Sequence, residues 1–150
     1  NMKIAIGCDH TAIDLKETIK KHLQDMGHEV EDVGTYSKES CDYPLYGFKV
    51  ANKIINGEAE RGVLICGTGV GISLAANKVK GIRAVVCSEP YTAKMARMHN
   101  NAQIVAMGAR VVSDGLATDI VDAFMNAEFE GGRHQRRVDI LSRIEETGRP

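Results

Sequence analysis

Short apolar runs alternate with longer amphipathic segments along this chain, and that alternation constrains the fold more than any other feature. Buried strands are predicted at Lys3 to Cys8 (KIAIGC), Gly62 to Cys66, Ile82 to Cys87 and Gln103 to Met107, with a weaker strand at Glu29 to Val33. Five strands that alternate with helices predict an α/β fold, in which helices cover both faces of a parallel sheet.

The segments between these strands carry apolar residues close to helical spacing. In the first of them, Ile13, Leu15, Ile19 and Leu23 recur in this way, and Gly27 suits the position after a helix end. Helices are predicted at Ala12 to Met26, Pro44 to Ile55, Ile72 to Val79, Pro90 to Asn100, Asp114 to Asn126 and, heavily charged, Arg133 to Glu146.

Length and composition indicate one domain over residues 1–150. Of the 150 residues, 43% are hydrophobic and 26% are charged, which is the usage of an ordinary globular domain of about this size. The break at Glu130-Gly131-Gly132 either frees the last charged helix, at about 133–146, from the body of the domain or is a simple turn.

Charge and cysteine content argue against several classes of function. Nineteen basic and 20 acidic residues give a net charge of -1, which does not suit a protein that neutralises a nucleic-acid backbone. No apolar run approaches the roughly 18 residues of a membrane span, and no signal peptide opens the sequence. Because the four cysteines lack CxxC spacing, we expect reduced thiols in a cytoplasmic protein. From the charge and the short apolar runs we expect no nucleic-acid partner and no membrane partner.

Polar and reactive side chains gather directly after the predicted strands. They are Cys8-Asp9-His10, Cys66 to Ser73, Cys87-Ser88-Glu89 and Gly108-Ala109-Arg110. In parallel sheets, ligands bind in the crevice at the carboxyl ends of the strands. The sequence therefore predicts the functional site at this edge.

The third strand is followed by a loop with glycine at every second position, at Gly67, Gly69 and Gly71. Without β-carbons the backbone N–H groups can approach a ligand closely, and the next helix adds its positive N-terminal end, so the loop favours an anion. No two glycines lie three residues apart, which excludes the G-x-G-x-x-G dinucleotide pattern, and Thr68 stands where a Walker A loop has lysine. The alternative is a tight turn that needs glycine for packing alone.

Cys66 ends the third strand and precedes this helix N-terminus, which lowers the pKa of a thiol. A thiolate there could attack a carbonyl or remove a carbon-bound proton, with the loop N–H groups stabilising the resulting oxyanion. The alternative is a small buried hydrophobic residue, which is the expected role of Cys8 and Cys87.

Histidines and arginines supply further candidates. His10 lies beside Asp9, and this pair either contacts ligand hydroxyls or phosphate or caps the following helix. His99 either acts as a general acid or caps the end of its own helix. Arg110 follows the fifth strand, and Arg133 and Arg137 are four residues apart on one helix face. Such a face either holds a phosphate or is simply solvated.

Six short motifs occur together and in order, and they carry a resemblance over about residues 3 to 146. They are Gly7-Cys8-Asp9-His10, Asp42-Tyr43-Pro44, Cys66-Gly67-Thr68-Gly69-Val70-Gly71, Ser88-Glu89-Pro90-Tyr91, His99-Asn100 and Gly131-Gly132-Arg133-His134. The chain thereby resembles the type-B ribose-5-phosphate isomerases, a family shared with allose- and galactose-6-phosphate isomerases. The resemblance implies a three-layer α/β/α sandwich with a Rossmann-like parallel sheet of order 2-1-3-5-4.

The resemblance also implies roles for individual residues in isomerising ribose 5-phosphate to ribulose 5-phosphate. Cys66 is the implied base, His99 the residue that helps open the sugar ring, and Thr68 a proton shuttle between two oxygens. Implied substrate contacts are Asp9, His10 and Asn100 to sugar and phosphate, Gly67, Thr68, Gly69, Val70 and Gly71 to the enediolate, and Arg110, Arg133 and Arg137 to phosphate. The implied assembly is a homodimer, in some members paired into a tetramer, with each site shared between subunits and with no metal or organic cofactor.

Two alternatives to this function remain open at the level of sequence. One is the same chemistry on allose 6-phosphate or galactose 6-phosphate, which pocket depth would decide. The other is a module that binds a phosphorylated sugar without chemistry.

Overall fold

The computed structural model describes all 150 residues and contains one parallel five-stranded sheet. Its strands are β1 (Lys3–Cys8), β2 (Glu29–Asp32), β3 (Arg61–Cys66), β4 (Ala84–Val86) and β5 (Ile104–Gly108). They lie in the order β2-β1-β3-β5-β4, and every neighbouring pair is parallel. The predicted α/β class and strand order are confirmed.

Six helices connect and follow the strands. They are α1 (Ile13–Asp25), α2 (Tyr43–Ile55), α3 (Val70–Asn77), α4 (Pro90–Asn100), α5 (Asp114–Met125) and α6 (Arg133–Thr147). Apolar faces of α1, α4 and α5 pack on one side of the sheet around Ile6, Ile65 and Met107. Helices α2 and α3 pack on the other side around Leu64 and Ala106. These two cores make the three-layer sandwich, and Cys66 belongs to the side of α2 and α3.

Two elements differ clearly in their bounds from the sequence prediction. The helix after the glycine loop begins at Val70 rather than Ile72 and ends at Asn77 rather than Val79. The strand predicted from Ile82 to Cys87 is only three residues long. It is an edge strand, hydrogen-bonded to β5 alone, so its length depends on a single partner and not on its apolar sequence.

A buried lysine on α1 anchors the loop that follows β2. The Lys16 ammonium donates to Asp32 Oδ1 at 2.9 Å and to the Thr35 carbonyl at 2.7 Å, and Lys20 reaches the other Asp32 oxygen. Burial works to raise the pKa of Asp32, but hydrogen bonds from Lys16, the Gly34 amide and Lys20 outweigh it and hold that pKa below 3.8. These bonds therefore hold the start of the loop at the carboxyl end of β2.

The last helix lies against α4. The Glu130 amide donates to the Met98 carbonyl at 3.0 Å, and Gly131 and Gly132 then turn the chain with φ of +69° and +56°. Val138 and His134 are the two buried residues of α6. Of the two alternatives for the Glu130-Gly131-Gly132 break, the structure has the turn. No helix of the structure combines the length and the apolar character that crossing a membrane requires.

Candidate active site

The glycine loop turns directly from β3 into α3, and packing requires glycine at Gly69. Gly69 has φ of +84°, and a β-carbon there would lie 2.7 Å from the Met107 carbonyl carbon of β5. A β-carbon on Gly71 would lie 2.6 Å from the ring of Tyr43. The packing alternative therefore explains Gly69, whereas the exposed Tyr43 ring could move away from a β-carbon on Gly71. The packing at Gly69 also fixes the direction of the loop amides.

Cys66 ends β3 with its sulfur turned toward this loop. The Gly69 amide donates a hydrogen bond to Cys66 Sγ at 3.1 Å, a contact that stabilises negative charge on sulfur. The amides of Gly67 and Thr68 have no acceptor within the chain, whereas the Val70 amide donates to Thr68 Oγ1 at 3.2 Å. The sulfur and two unpaired N–H donors thus occupy one short turn, as a base with an adjacent anion hole requires.

The other strand-end thiols differ from Cys66 in their surroundings. Burial raises the pKa of Cys8 to about 12 and the pKa of Cys87 to about 11. Both thiols therefore stay protonated at neutral pH and act as the small buried hydrophobic residues that the sequence predicts. All four cysteines are free thiols.

Asp9 and His10 follow β1 at the same edge as Cys66. Asp9 Oδ1 accepts from the Thr11 amide at 2.9 Å and from the Thr11 hydroxyl at 2.6 Å, so Asp9 closes a local turn and does not cap α1. The Cys41 amide donates to His10 Nδ1 at 3.2 Å. Because Nδ1 accepts, a neutral His10 carries its proton on Nε2 and presents a donor to a ligand.

Arg110 completes this edge. Its amide donates to the Gly67 carbonyl at 3.1 Å, and its guanidinium lies beside the loop, 3.5 Å from the position a Gly67 β-carbon would take. The positive charge therefore faces the same backbone that carries the unpaired N–H groups of Gly67 and Thr68.

His99 and Asn100 lie at the opposite edge of the sheet. Helix α4 returns antiparallel from the end of β4 to the beginning of β5, so its last turn stands beside the starts of these strands. The Asn100 carbonyl accepts from Arg83 Nε at 2.9 Å, next to the start of β4. A five-residue strand such as β5 is about 16 Å long, so Cys66 and His99 of one chain do not form one site.

His99 instead belongs to a cluster with Glu130 and His134. His99 Nε2 lies 3.1 Å from Glu130 Oε1, and His134 Nε2 lies 3.6 Å from the same oxygen. The two imidazole rings stack with centroids 4.1 Å apart. The possible metal-ligand atoms of these three residues all lie within 4.8 Å of one another.

Arg133 and Arg137 are exposed on the first turns of α6, beside this cluster. The predicted residues therefore lie in two separate groups at opposite edges of the sheet, which we call half-sites. The loop half-site comprises Asp9, His10, Cys66, Gly67 to Gly71 and Arg110, and the helix half-site comprises His99, Asn100, Arg133 and Arg137.

Sequence analysis gave Glu130 and His134 no role in a site; it named them only in the break before the last helix and in the Gly131-Gly132-Arg133-His134 motif. His134 is buried, and the available signal was its spacing of four residues from the apolar Val138, which places both on the packed face of α6. A surface depression of about 570 Å³ lies elsewhere, at the start of β1 and β2, lined in part by Glu29, Glu31 and Glu58. Its carboxylates do not suit an anionic ligand.

Comparison with known proteins identifies a family and several relatives of this chain. Residues 4–141 match the family model described as Ribose/Galactose Isomerase. The chain is 56% identical over 144 residues to ribose-5-phosphate isomerase B of Escherichia coli, covering 96% of this chain and 97% of that protein. It superposes on Clostridium thermocellum ribose-5-phosphate isomerase B with a TM-score of 0.96 and 54% identity over 98% of this chain and 99% of that one.

A third relative was solved with a sugar phosphate. The Mycoplasma genitalium ribose-5-phosphate isomerase B, with bound ribulose-5-phosphate, matches with a TM-score of 0.91 and 45% identity over 97% of both chains.

Proposed function

The chain belongs to the ribose/galactose isomerase family, and we propose that it interconverts ribose 5-phosphate and ribulose 5-phosphate with Cys66 as the base. The observation that carries this mechanism is the position of the Cys66 sulfur. It accepts a hydrogen bond from the Gly69 amide and lies beside the two unpaired amides of Gly67 and Thr68. The whole of residues 1–150 acts as one isomerase domain without a metal or organic cofactor.

The reaction moves one proton between neighbouring carbons. The Cys66 thiolate removes the proton from C2 of the open-chain aldose, and the electron pair passes to the carbonyl oxygen on C1 to give an enediolate. Amides of Gly67 and Thr68 stabilise that oxyanion. The thiol then returns the proton to C1, while the Thr68 hydroxyl carries a proton from one oxygen to the other, which gives the ketose.

Before this step the furanose ring must open, and His99 is the proposed acid. One chain holds His99 at the edge opposite Cys66, which supports a homodimer in which each active site combines the loop half-site of one subunit with the helix half-site of its partner. Arg110 then approaches the phosphate from one subunit, and Arg133 and Arg137 approach it from the other. Asp9, His10 and Asn100 contact the sugar or its phosphate.

An exposed apolar surface beside the loop half-site supports this assembly. Leu45, Phe48, Val70 and Leu74 on α2 and α3 are each about half exposed, and α3 begins at the glycine loop itself. Contact between two such surfaces buries apolar area and brings a second chain to Cys66. Pairs of dimers would give the tetramer.

The free thiols favour a reducing compartment. We therefore place the protein in the cytoplasm, acting on a phosphorylated pentose in the pentose phosphate pathway.

The test is a comparison of substrates with purified protein. We expect kcat/KM for ribose 5-phosphate to exceed that for allose 6-phosphate and galactose 6-phosphate. The family name covers both ribose and galactose. A higher kcat/KM for a hexose phosphate would contradict the proposed pentose substrate and assign the hexose phosphate instead.

A second measurement separates the isomerase from a module that only binds. In D₂O, proton transfer through Cys66 introduces deuterium at C1 or C2 of the sugar. Saturable binding of ribose 5-phosphate with no deuterium uptake and no ketose would contradict catalysis.

A further inference from the structure

The cluster of His99, Glu130 and His134 joins three separate segments of the chain. His99 lies in the last turn of α4, Glu130 in the loop before α6, and His134 in the first turn of α6. The hydrogen bond from the Glu130 amide to the Met98 carbonyl holds the loop against α4. The carboxylate is thereby fixed beside both imidazoles.

The distances in this cluster match those around a bound transition-metal ion. A tetrahedral Zn²⁺ with bonds of about 2.0–2.2 Å separates its ligand atoms by about 3.3–3.6 Å. Glu130 Oε1 already lies 3.1 Å from His99 Nε2 and 3.6 Å from His134 Nε2. Two of the three ligand pairs therefore need little movement.

Both histidines would bind the ion through Nε2, the ring nitrogen that faces Glu130. On coordination through Nε2, each ring carries its proton on Nδ1. The rings are now 8° from parallel, so they must turn about their Cβ–Cγ bonds to aim both nitrogens at one ion, and His99 is exposed enough to do so.

We propose that His99, Glu130 and His134 form a binding site for Zn²⁺ or a similar divalent transition-metal ion. Two imidazoles and one carboxylate are ligands that Zn²⁺ accepts, and a fourth position stays open for water or another oxygen ligand. The nearby Arg133 and Arg137 repel a cation, which makes the site one of moderate affinity. The ion is regulatory and supplies no group to the isomerisation, although His99 serves both the ion and the reaction.

Occupation of this site has a consequence that rests on the proposed function. An ion on His99 Nε2 blocks that nitrogen from proton transfer to the sugar ring. Zn²⁺ is therefore an inhibitor of the isomerase, and the Glu130 carboxylate, which lies beside His99 Nε2, sets the sensitivity.

The experiment measures Zn²⁺ binding to the tag-free full chain by competition with a chromophoric chelator. We expect one ion per chain, with affinity about tenfold or more weaker in Glu130→Gln. Glu128→Gln is the matched control, because it removes an exposed carboxylate two residues away. Equal affinities of these two variants would overturn the site.

Cys66 is the competing ligand, because in the proposed dimer its thiolate approaches His99 of the other subunit. Zn²⁺ binding that persists in Cys66→Ala supports the three-residue site, and loss of binding in that variant overturns it. In activity assays, with each variant compared with its own rate without metal, Zn²⁺ should inhibit the wild type and Glu128→Gln more strongly than Glu130→Gln. Binding without inhibition would keep the site and contradict the role proposed for His99.

Discussion

Cys66 and His99 lie at opposite edges of the sheet, one at the end of β3 and the other in the last turn of α4, which leads back to the start of β5. The separation follows from the parallel topology, because each helix after a strand returns the chain to the edge where the next strand begins. A reaction that needs both side chains therefore needs two copies of the chain.

This separation predicts complementation between two inactive variants. When Cys66→Ala and His99→Asn chains are refolded together, half of the dimers should be mixed, and each mixed dimer has one intact site. We expect about a quarter of wild-type activity to return, as two-fold symmetry dictates. Each variant refolded alone is the control. A mixture no more active than these controls would show that both residues act within one chain.

The Cys66→Ala variant should lose turnover and keep its fold. Removing a general base costs about 10²–10⁴-fold in rate, while the buried position loses only a small side chain. We expect unchanged circular dichroism, retained binding of ribose 5-phosphate by calorimetry, and a matching loss of kcat. Substantial remaining isomerisation would assign the base to another residue.

The apolar surface of α2 and α3 should control assembly. Phe48 and Leu74 are 53% and 58% exposed, and a buried, unpaired carboxylate in the proposed interface would be strongly unfavourable. We expect Phe48→Glu and Leu74→Glu to be monomeric by light scattering and inactive, although Cys66 is intact. Ile55→Glu, at the other end of α2, introduces the same charge and should remain active. A dimeric, active Leu74→Glu protein would place the interface elsewhere.

The Lys16–Asp32 pair should make stability depend on acid pH. The pKa of Asp32 in the folded protein is below 3.8, so its contribution is fully present above that value and is lost as pH falls through the folded pKa. Asp32→Asn leaves the fully buried Lys16 ammonium without its carboxylate, and we expect a loss of about 3–5 kcal/mol at pH 7.

Lys16→Met is the informative comparison for that prediction. It leaves Asp32 bonded to Lys20 and to the Gly34 amide, so we expect a smaller loss in urea unfolding at pH 7. Asp32→Asn should also flatten the fall in stability below about pH 4. An equally steep acid transition in Asp32→Asn would assign that transition to other carboxylates.

Gly69→Ala should damage both stability and catalysis. A left-handed backbone costs an L-residue about 1–2 kcal/mol, and overlap with the β5 backbone adds roughly 1–3 kcal/mol. Gly57→Ala shares the positive φ but meets nothing within 4 Å, so it should lose only the first amount and keep full activity. Because the Gly69 amide contacts Cys66 Sγ, Gly69→Ala should lower kcat more than it raises KM. Equal losses of stability in Gly69→Ala and Gly57→Ala would contradict a packing role for Gly69.

The sequence by itself determined the α/β class and which strand ends carry polar and reactive side chains. Apolar periodicity reports burial locally, so it located all eleven elements to within two residues at either end, and the cluster at Cys66 followed from its neighbours along the chain. It overestimated β4, because the length of an edge strand depends on its single partner.

Only the tertiary structure decided which residues meet across the chain. It separated His99 from Cys66, and it paired Lys16 of α1 with Asp32 of β2. It also brought Glu130 and His134 to His99. These contacts depend on crossover direction and on helix packing, which bring together residues that no local pattern relates. The sequence names the side chains capable of chemistry, and the path of the backbone decides which of them share a site.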